Sequence, residues 1–128
     1  MRYDMDFGEY FLYDDLTHHL QGLAAAYPEL ATLEALGQSW QGRNVWAVTL
    51  TNSATGAHDT KPGFYIDAHI HAEEVATSHT ALYTIWYLLS NYGGDAQVTW
   101  LLDNLTFYIL PRINPDGGDF RDINALDS

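Results

Sequence analysis

The sequence contains no cysteine. That excludes a disulfide framework, a cysteine-based zinc site and a thiol nucleophile. A chain of 128 residues that is 47% hydrophobic and 14% aromatic can build a core without such cross-links, so the absence carries no message about compartment. Basic residues are scarce too: five Lys and Arg stand against seventeen Asp and Glu, a net charge of −12. A nucleic-acid binder needs a basic face to neutralise phosphates, and an anionic membrane surface repels an acidic chain, so neither partner is expected. Long apolar runs are missing. The longest, residues 81–89, is far short of the roughly 20 residues a bilayer span needs. The opening MRYDMDFGEY lacks the basic and apolar regions of a secretory signal, so none is expected, and the location is cytoplasmic if that terminus is native. There is no Gly-rich phosphate loop, no Gly-x-Ser-x-Gly elbow and no internal repeat.

What is present reads as one domain. Leu16, Leu20, Leu23 and Tyr27 recur at helical spacing, which predicts a helix over residues 14–26. Asp14 and Asp15 stand at its start, where carboxylates meet free backbone N–H groups, and Pro28 stops it. Residues 31–36 and 44–52 read as strands joined by a reversal at 37–43, an antiparallel hairpin. Residues 53–61 are rich in Ser, Thr, Asp and Gly and read as a surface loop. Residues 63–70 form a third strand, with Phe64, Ile66, Ala68 and Ile70 on one face and Tyr65, Asp67 and His69 on the other. Its mostly apolar faces predict burial. A helix over 74–92 follows, striped by Val75, Leu82, Ile85, Trp86 and Leu89 and ended by Gly93-Gly94. A short helix over 96–104 leads to a fourth strand over 105–110, closed by a turn at Asn114-Pro115-Asp116-Gly117. Strand, helix, strand implies a crossover and parallel pairing. The expected class is α/β, a mixed β-sheet flanked by helices.

The third strand ends in Asp67-Ala68-His69-Ile70-His71-Ala72-Glu73-Glu74. Ligands of open α/β sheets bind outside the carboxyl ends of strands. His71 and Glu74 are three apart at a strand-to-helix turn, so an imidazole and a carboxylate can reach one ion. Zinc takes both donors at about 2.0–2.2 Å, and a catalytic zinc needs three protein ligands and an open position. The spacing alone admits another reading, an exposed His beside a Glu that faces the helix dipole. A His-x-x-Glu arises by chance about 0.2 times in a chain of this composition. His69 and His71 form His-x-His with both side chains on one strand face. His69 is then either a second metal ligand or a group that packs or holds a ligand in place. His79, on the apolar stripe, reads as a packed and hydrogen-bonded histidine. His18, His19 and His58 read as surface residues, and Asp103, Asp119, Asp122 and Asp127 as solvated acidic background.

Three segments together resemble the zinc carboxypeptidases, the M14 metallopeptidases. Gly37-Gln38-Ser39-Trp40-Gln41-Gly42-Arg43 is similar to that family's Gly-x-Ser-x-x-Gly-Arg before an apolar strand. Ile70-His71-Ala72-Glu73-Glu74 is similar to its His-x-x-Glu zinc motif, and Pro111-Arg112-Ile113-Asn114-Pro115-Asp116-Gly117 to its Asn-Pro-Asp-Gly turn. An Asn-Pro-Asp-Gly alone occurs by chance in on the order of one such chain in a thousand, and the motifs stand in the family's order.

The resemblance implies that His71 and Glu74 are ligands of Zn2+ and that the substrate is a peptide or protein losing its carboxyl-terminal residue. It also implies a larger domain. In the family the third ligand, the oxyanion arginine, the residues gripping the terminal carboxylate and the general-base Glu follow the Asn-Pro-Asp-Gly turn. None has a counterpart before Ser128. Residues 1–128 are therefore expected to be the amino-terminal portion of a carboxypeptidase-like catalytic domain, inactive in isolation, with no catalytic base of its own. Two positions depart from the family. Glu73 stands where many members carry an Arg that touches substrate, which implies a different peptide contact on that side. His69 stands where Asn is frequent.

Three other readings remain. Asp67-Ala68-His69-Ile70-His71 resembles the first-strand Asp-x-His-x-His of an amidohydrolase barrel. A zinc deacylase would share the His-x-x-Glu and the sheet. A non-catalytic binding module would need no third ligand.

Overall fold

The computed structural model describes residues 3–118. Helix α1 (Tyr13–Ala26) buries Leu16, Leu20 and Leu23, the stripe its sequence spacing predicts. Strands β1 (Ala31–Gln38) and β2 (Asn44–Leu50) pair antiparallel, with a bulge between Ala35 and Gly37. Gly42 turns the hairpin at φ 83°, a conformation in which a side chain would be strained. After β3 (Gly63–Asp67) come α2 (Val75–Asn91), α3 (Ala96–Asn104) and β4 (Thr106–Leu110). Asp95 caps α3, its carboxylate accepting from the N–H groups of Gln97 and Val98.

The four strands lie in the order β1-β2-β4-β3. β4 runs antiparallel to β2 and parallel to β3, so the sheet is mixed and open, as expected. Leu50 and Ile109 of the sheet, Leu82, Ile85 and Leu89 of α2, Leu102 of α3 and the α1 leucines form one fully buried cluster. No helix of the described residues is long and apolar enough to cross a membrane.

Three expectations are corrected. β3 ends at Asp67, not at residue 70, because His69 takes φ 61° and turns the chain out of the extended conformation. β3 is also exposed rather than buried. It lies at the sheet edge, with Phe64 55% and Tyr65 59% accessible; an apolar strand is sheltered only if something covers it. Residues 53–61 form a surface loop, as expected, and carry two short helical turns. Lys61 pins it, its ammonium donating to Thr51 Oγ1 (2.8 Å), Asn52 O (2.9 Å) and Thr55 Oγ1 (2.8 Å). Asp103 is not solvated background: it accepts from Tyr92 Oη (2.6 Å) and Asn52 Nδ2 (2.9 Å), and these bonds hold its carboxyl below the usual range. Asp119, Asp122 and Asp127 lie outside the described residues.

The histidines divide differently from the sequence reading. A strap over residues 3–12 crosses α2, with Trp86 Nε1 donating to Tyr3 O at 2.8 Å. His79 packs under it, stacked on Phe11 and edge-on to Phe7 and Tyr10. The packing matches expectation but the hydrogen bond does not: His79 Nδ1 is buried without a partner among the described residues. His19 is half-buried and 3.0 Å from Tyr3 Oη; burial, with His18 beside it, pushes its pKa down. His18 and His58 are exposed as expected, His58 Nδ1 lying 2.9 Å from Tyr108 Oη.

Leu82 is inaccessible at the centre of the cluster. Leu82→Ala should cost about 2–5 kcal/mol. The check is a urea titration; an unchanged midpoint would show that α2 does not organise the core.

Candidate metal centre

β3 and β4 run parallel and stop together at the pair Asp67 and Leu110. Beyond that pair the backbone must find partners off the ladder. Ala68 N donates to Leu110 O (3.0 Å), Ile113 N to Ala68 O (3.1 Å) and Asn114 N to His69 O (3.2 Å). Asn114 Nδ2 donates to Ile70 O at 3.1 Å, so one asparagine holds two successive carbonyls of the loop after β3.

The Asn-Pro-Asp-Gly segment is more than a turn. Residues 115–118 are helical. Asn114 caps them: its Oδ1 accepts from Gly117 N (3.1 Å) and its O from Gly118 N (3.0 Å). Pro115 occupies the first helical position, where its missing N–H costs nothing. Asp116 then faces the β1–β2 hairpin. Its carboxylate accepts from Ser39 Oγ (2.7 Å), Gln41 N (3.1 Å) and Arg43 Nη1 (3.0 Å). Burial pushes its pKa up, but the hydrogen bonds from Ser39, Arg43 and Gln41 outweigh that and hold it below the ordinary range.

In the sequence Asp116 and Arg112 stand out only as parts of a turn motif; their partners appear only in the fold. Arg112 is buried, with Nε donating to Ser78 Oγ (3.2 Å) and Nη2 to Phe11 O (2.7 Å), which joins the strap to α2. A basic residue directly after a strand and Pro111, in a chain with so few bases, was the available signal.

His71 and Glu74 come together at the mouth of this loop. Glu74 N donates to His71 O (3.0 Å), closing a turn, and Glu74 Oε1 accepts from His71 N at 2.9 Å. The same oxygen lies 3.0 Å from His71 Nδ1. Glu74 stands at the N-cap of α2 but makes no side-chain cap, so its carboxylate serves His71 rather than the helix end. Both side chains are accessible, 68% and 39%.

The donor chemistry fits part of a zinc set. Two donors near 2.0–2.1 Å from one tetrahedral ion lie about 3.3 Å apart, close to the spacing of this pair. Among the described residues no group of three His, Cys, Asp or Glu is close enough to hold a metal ion. His69 does not add a third donor, and the expected shared face of His69 and His71 is not formed. His69 is 1% exposed, with Nε2 3.1 Å from Ala72 O, whereas His71 faces solvent. The strand ends before either histidine, so alternation no longer applies. The Asp67-x-His69-x-His71 array of an amidohydrolase barrel is thereby excluded, as is the barrel, since the sheet is open with a β1-β2-β4-β3 order. Glu73 is exposed and makes no hydrogen bond or ion pair among the described residues.

The zinc carboxypeptidase family matches residues 16–123. The chain is 39% identical to carboxypeptidase B of Astacus astacus over 113 residues, which is 88% of this chain and 35% of that protein. It is 32% identical to an inactive metallocarboxypeptidase of Saccharomyces cerevisiae over 115 residues, 90% of this chain and 27% of that one. Its fold superposes on carboxypeptidase A from Helicoverpa armigera with a TM-score of 0.77 at 26% identity, covering 92% of this chain and 28% of that structure. The chain belongs to the zinc carboxypeptidases, the M14 peptidase family, and it spans about a third or less of the length of these relatives.

Because the folded Asp116 carboxyl binds its proton less readily than the unfolded one, its stabilisation is complete above the ordinary carboxyl pKa of about 3.9 and is lost as pH falls through the lower folded value. The wild type should therefore unfold at higher urea concentration than Asp116→Asn at neutral pH, and the two midpoints should converge in acid. A gap of constant size from neutral pH to acid would contradict the assignment.

Proposed function

We propose that His71 and Glu74 are two of the three protein donors of a zinc site in a metallocarboxypeptidase. Residues 1–128 then form the amino-terminal portion of its catalytic domain. The observation that carries this reading is the 3.0 Å approach of His71 Nδ1 to Glu74 Oε1 outside the carboxyl end of β3. Family membership supports zinc as the ion and a peptide or protein as the substrate. Bound zinc supplies a polarised carbonyl and a water acidic enough to attack it. The residues of this chain do preparatory work. His71 and Glu74 would hold the ion, and Asn114 fixes the loop that carries His71. No third donor stands beside the pair among the described residues, so that donor and the base that takes the water's proton would come from elsewhere in the protein.

A second reading, a binding module without catalysis, is favoured by one comparison: a relative matched over 90% of this chain is an inactive metallocarboxypeptidase. A peptide-release assay separates the two. The full-length protein should release carboxyl-terminal residues in a chelator-sensitive way, and His71→Ala or Glu74→Ala should lower zinc affinity and turnover by more than about 100-fold. Residues 1–128 alone should show no such release. Inactive full-length protein that still binds peptide would establish the module instead.

A further inference from the structure

We propose that His69 is a positioning residue for the metal pair: its buried ring holds the Ala72 carbonyl and so fixes the turn between His71 and Glu74. The inference rests on the reading of that pair given above.

His69 is the one non-glycine residue at positive φ among the described residues, at 61°. His, Asn and Asp occupy that left-handed region several-fold more readily than other side chains. The backbone is clamped there from outside. His69 N donates to Thr77 Oγ1 of α2 at 2.9 Å, and Thr77 Oγ1 donates in turn to Glu74 O at 2.7 Å. His69 O accepts from Asn114 N. The left-handed turn sends the ring inward, where it is 1% exposed, and Nε2 comes to 3.1 Å from Ala72 O. A carbonyl can only accept, so Nε2 carries the proton and donates.

That nitrogen is thus committed to the backbone rather than to an ion. Ala72 lies between the two donors, and fixing its carbonyl fixes the Ala72–Glu73 peptide plane at the centre of the turn that joins His71 to Glu74.

The ring has a seat shaped for it. A Cβ on Gly118 would come within 2.8 Å of His69 Cε1 and 3.1 Å of Nδ1, so a side chain there would displace the imidazole. Gly118 follows the Asn114 cap, so the seat is built by the segment that also holds the loop carbonyls. A burial role alone would be served by any apolar side chain, whereas the 3.1 Å bond requires a donor at the distance of Nε2.

Zinc affinity of the full-length protein, measured by competition with a chromophoric chelator, tests this with two variants. Asn tolerates the left-handed backbone better than Gln, but its amide falls short of Ala72 O; Gln places its amide nitrogen near the position of Nε2. His69→Asn should weaken zinc binding by about 10- to 100-fold in protein that circular dichroism shows folded at the assay temperature, and His69→Gln should recover most of that loss. A purely conformational role predicts the opposite ranking. Zinc binding by His69→Asn equal to wild type, or by His69→Gln no better than by His69→Asn, would overturn the proposal. Wild-type protein that takes no zinc would refute the reading of the pair. Amide exchange at His71 and Glu74 then decides on His69 alone: faster exchange in His69→Asn upholds its hold on the turn, and equal protection overturns it.

Discussion

Where parallel β3 and β4 end side by side, the next backbone groups have no ladder, two of the three residues that carry them are buried, and residues 112–118 satisfy them. Ala68, His69 and Ile70 each give a carbonyl to that segment, two of them to Asn114 alone. Leaving such groups unmade would cost about 1–3 kcal/mol each, so the loop after β3 has little freedom once residues 112–118 are placed. The same segment reaches the first hairpin through Asp116. Three stretches far apart in sequence thereby become one body, and His71 and Glu74 are mounted on it.

Cations are rare in this acidic chain, and the three described ones all serve as cross-links. Arg43 joins the hairpin to Asp116. Lys61 ties the loop after β2 to Thr51, Asn52 and Thr55. Arg112, buried, connects the strap to α2. A guanidinium or ammonium drawn out of water must be satisfied by acceptors, and each of these finds them on more than one residue around it. The rim of the site is left acidic, with Glu73 exposed beside the pair.

Periodicity made the helices, the hairpin and the parallel crossover legible, because each buries one face against a common core. The His71–Glu74 pair was legible as a spacing and as a family motif. The role of Asp116 stays hidden because it depends on contacts across 70 or more positions, such as Ser39 with Asp116, which no local pattern reports. β3 is shorter than its apolar run suggests and, among the described residues, more exposed, since such a run discloses neither the left-handed turn at His69 nor which strand lies at an edge. His79 was placed correctly on the packed stripe, but the rings that cover it come from a strap without any regular spacing. Asp103, as part of an acidic background, and His19, as a residue of the first helix, read as surface groups in the sequence, but particular partners, Tyr92 and Tyr3, draw them in.

The most direct test of a metal pair mounted on this rigid loop is a crystal structure of the zinc-loaded full-length protein with data at the zinc absorption edge. An anomalous peak about 2.0–2.2 Å from both His71 Nδ1 and a Glu74 carboxylate oxygen, with the loop backbone unmoved, is the predicted result. A zinc ion bound elsewhere, or held by His71 with Glu74 turned to solvent, would contradict it.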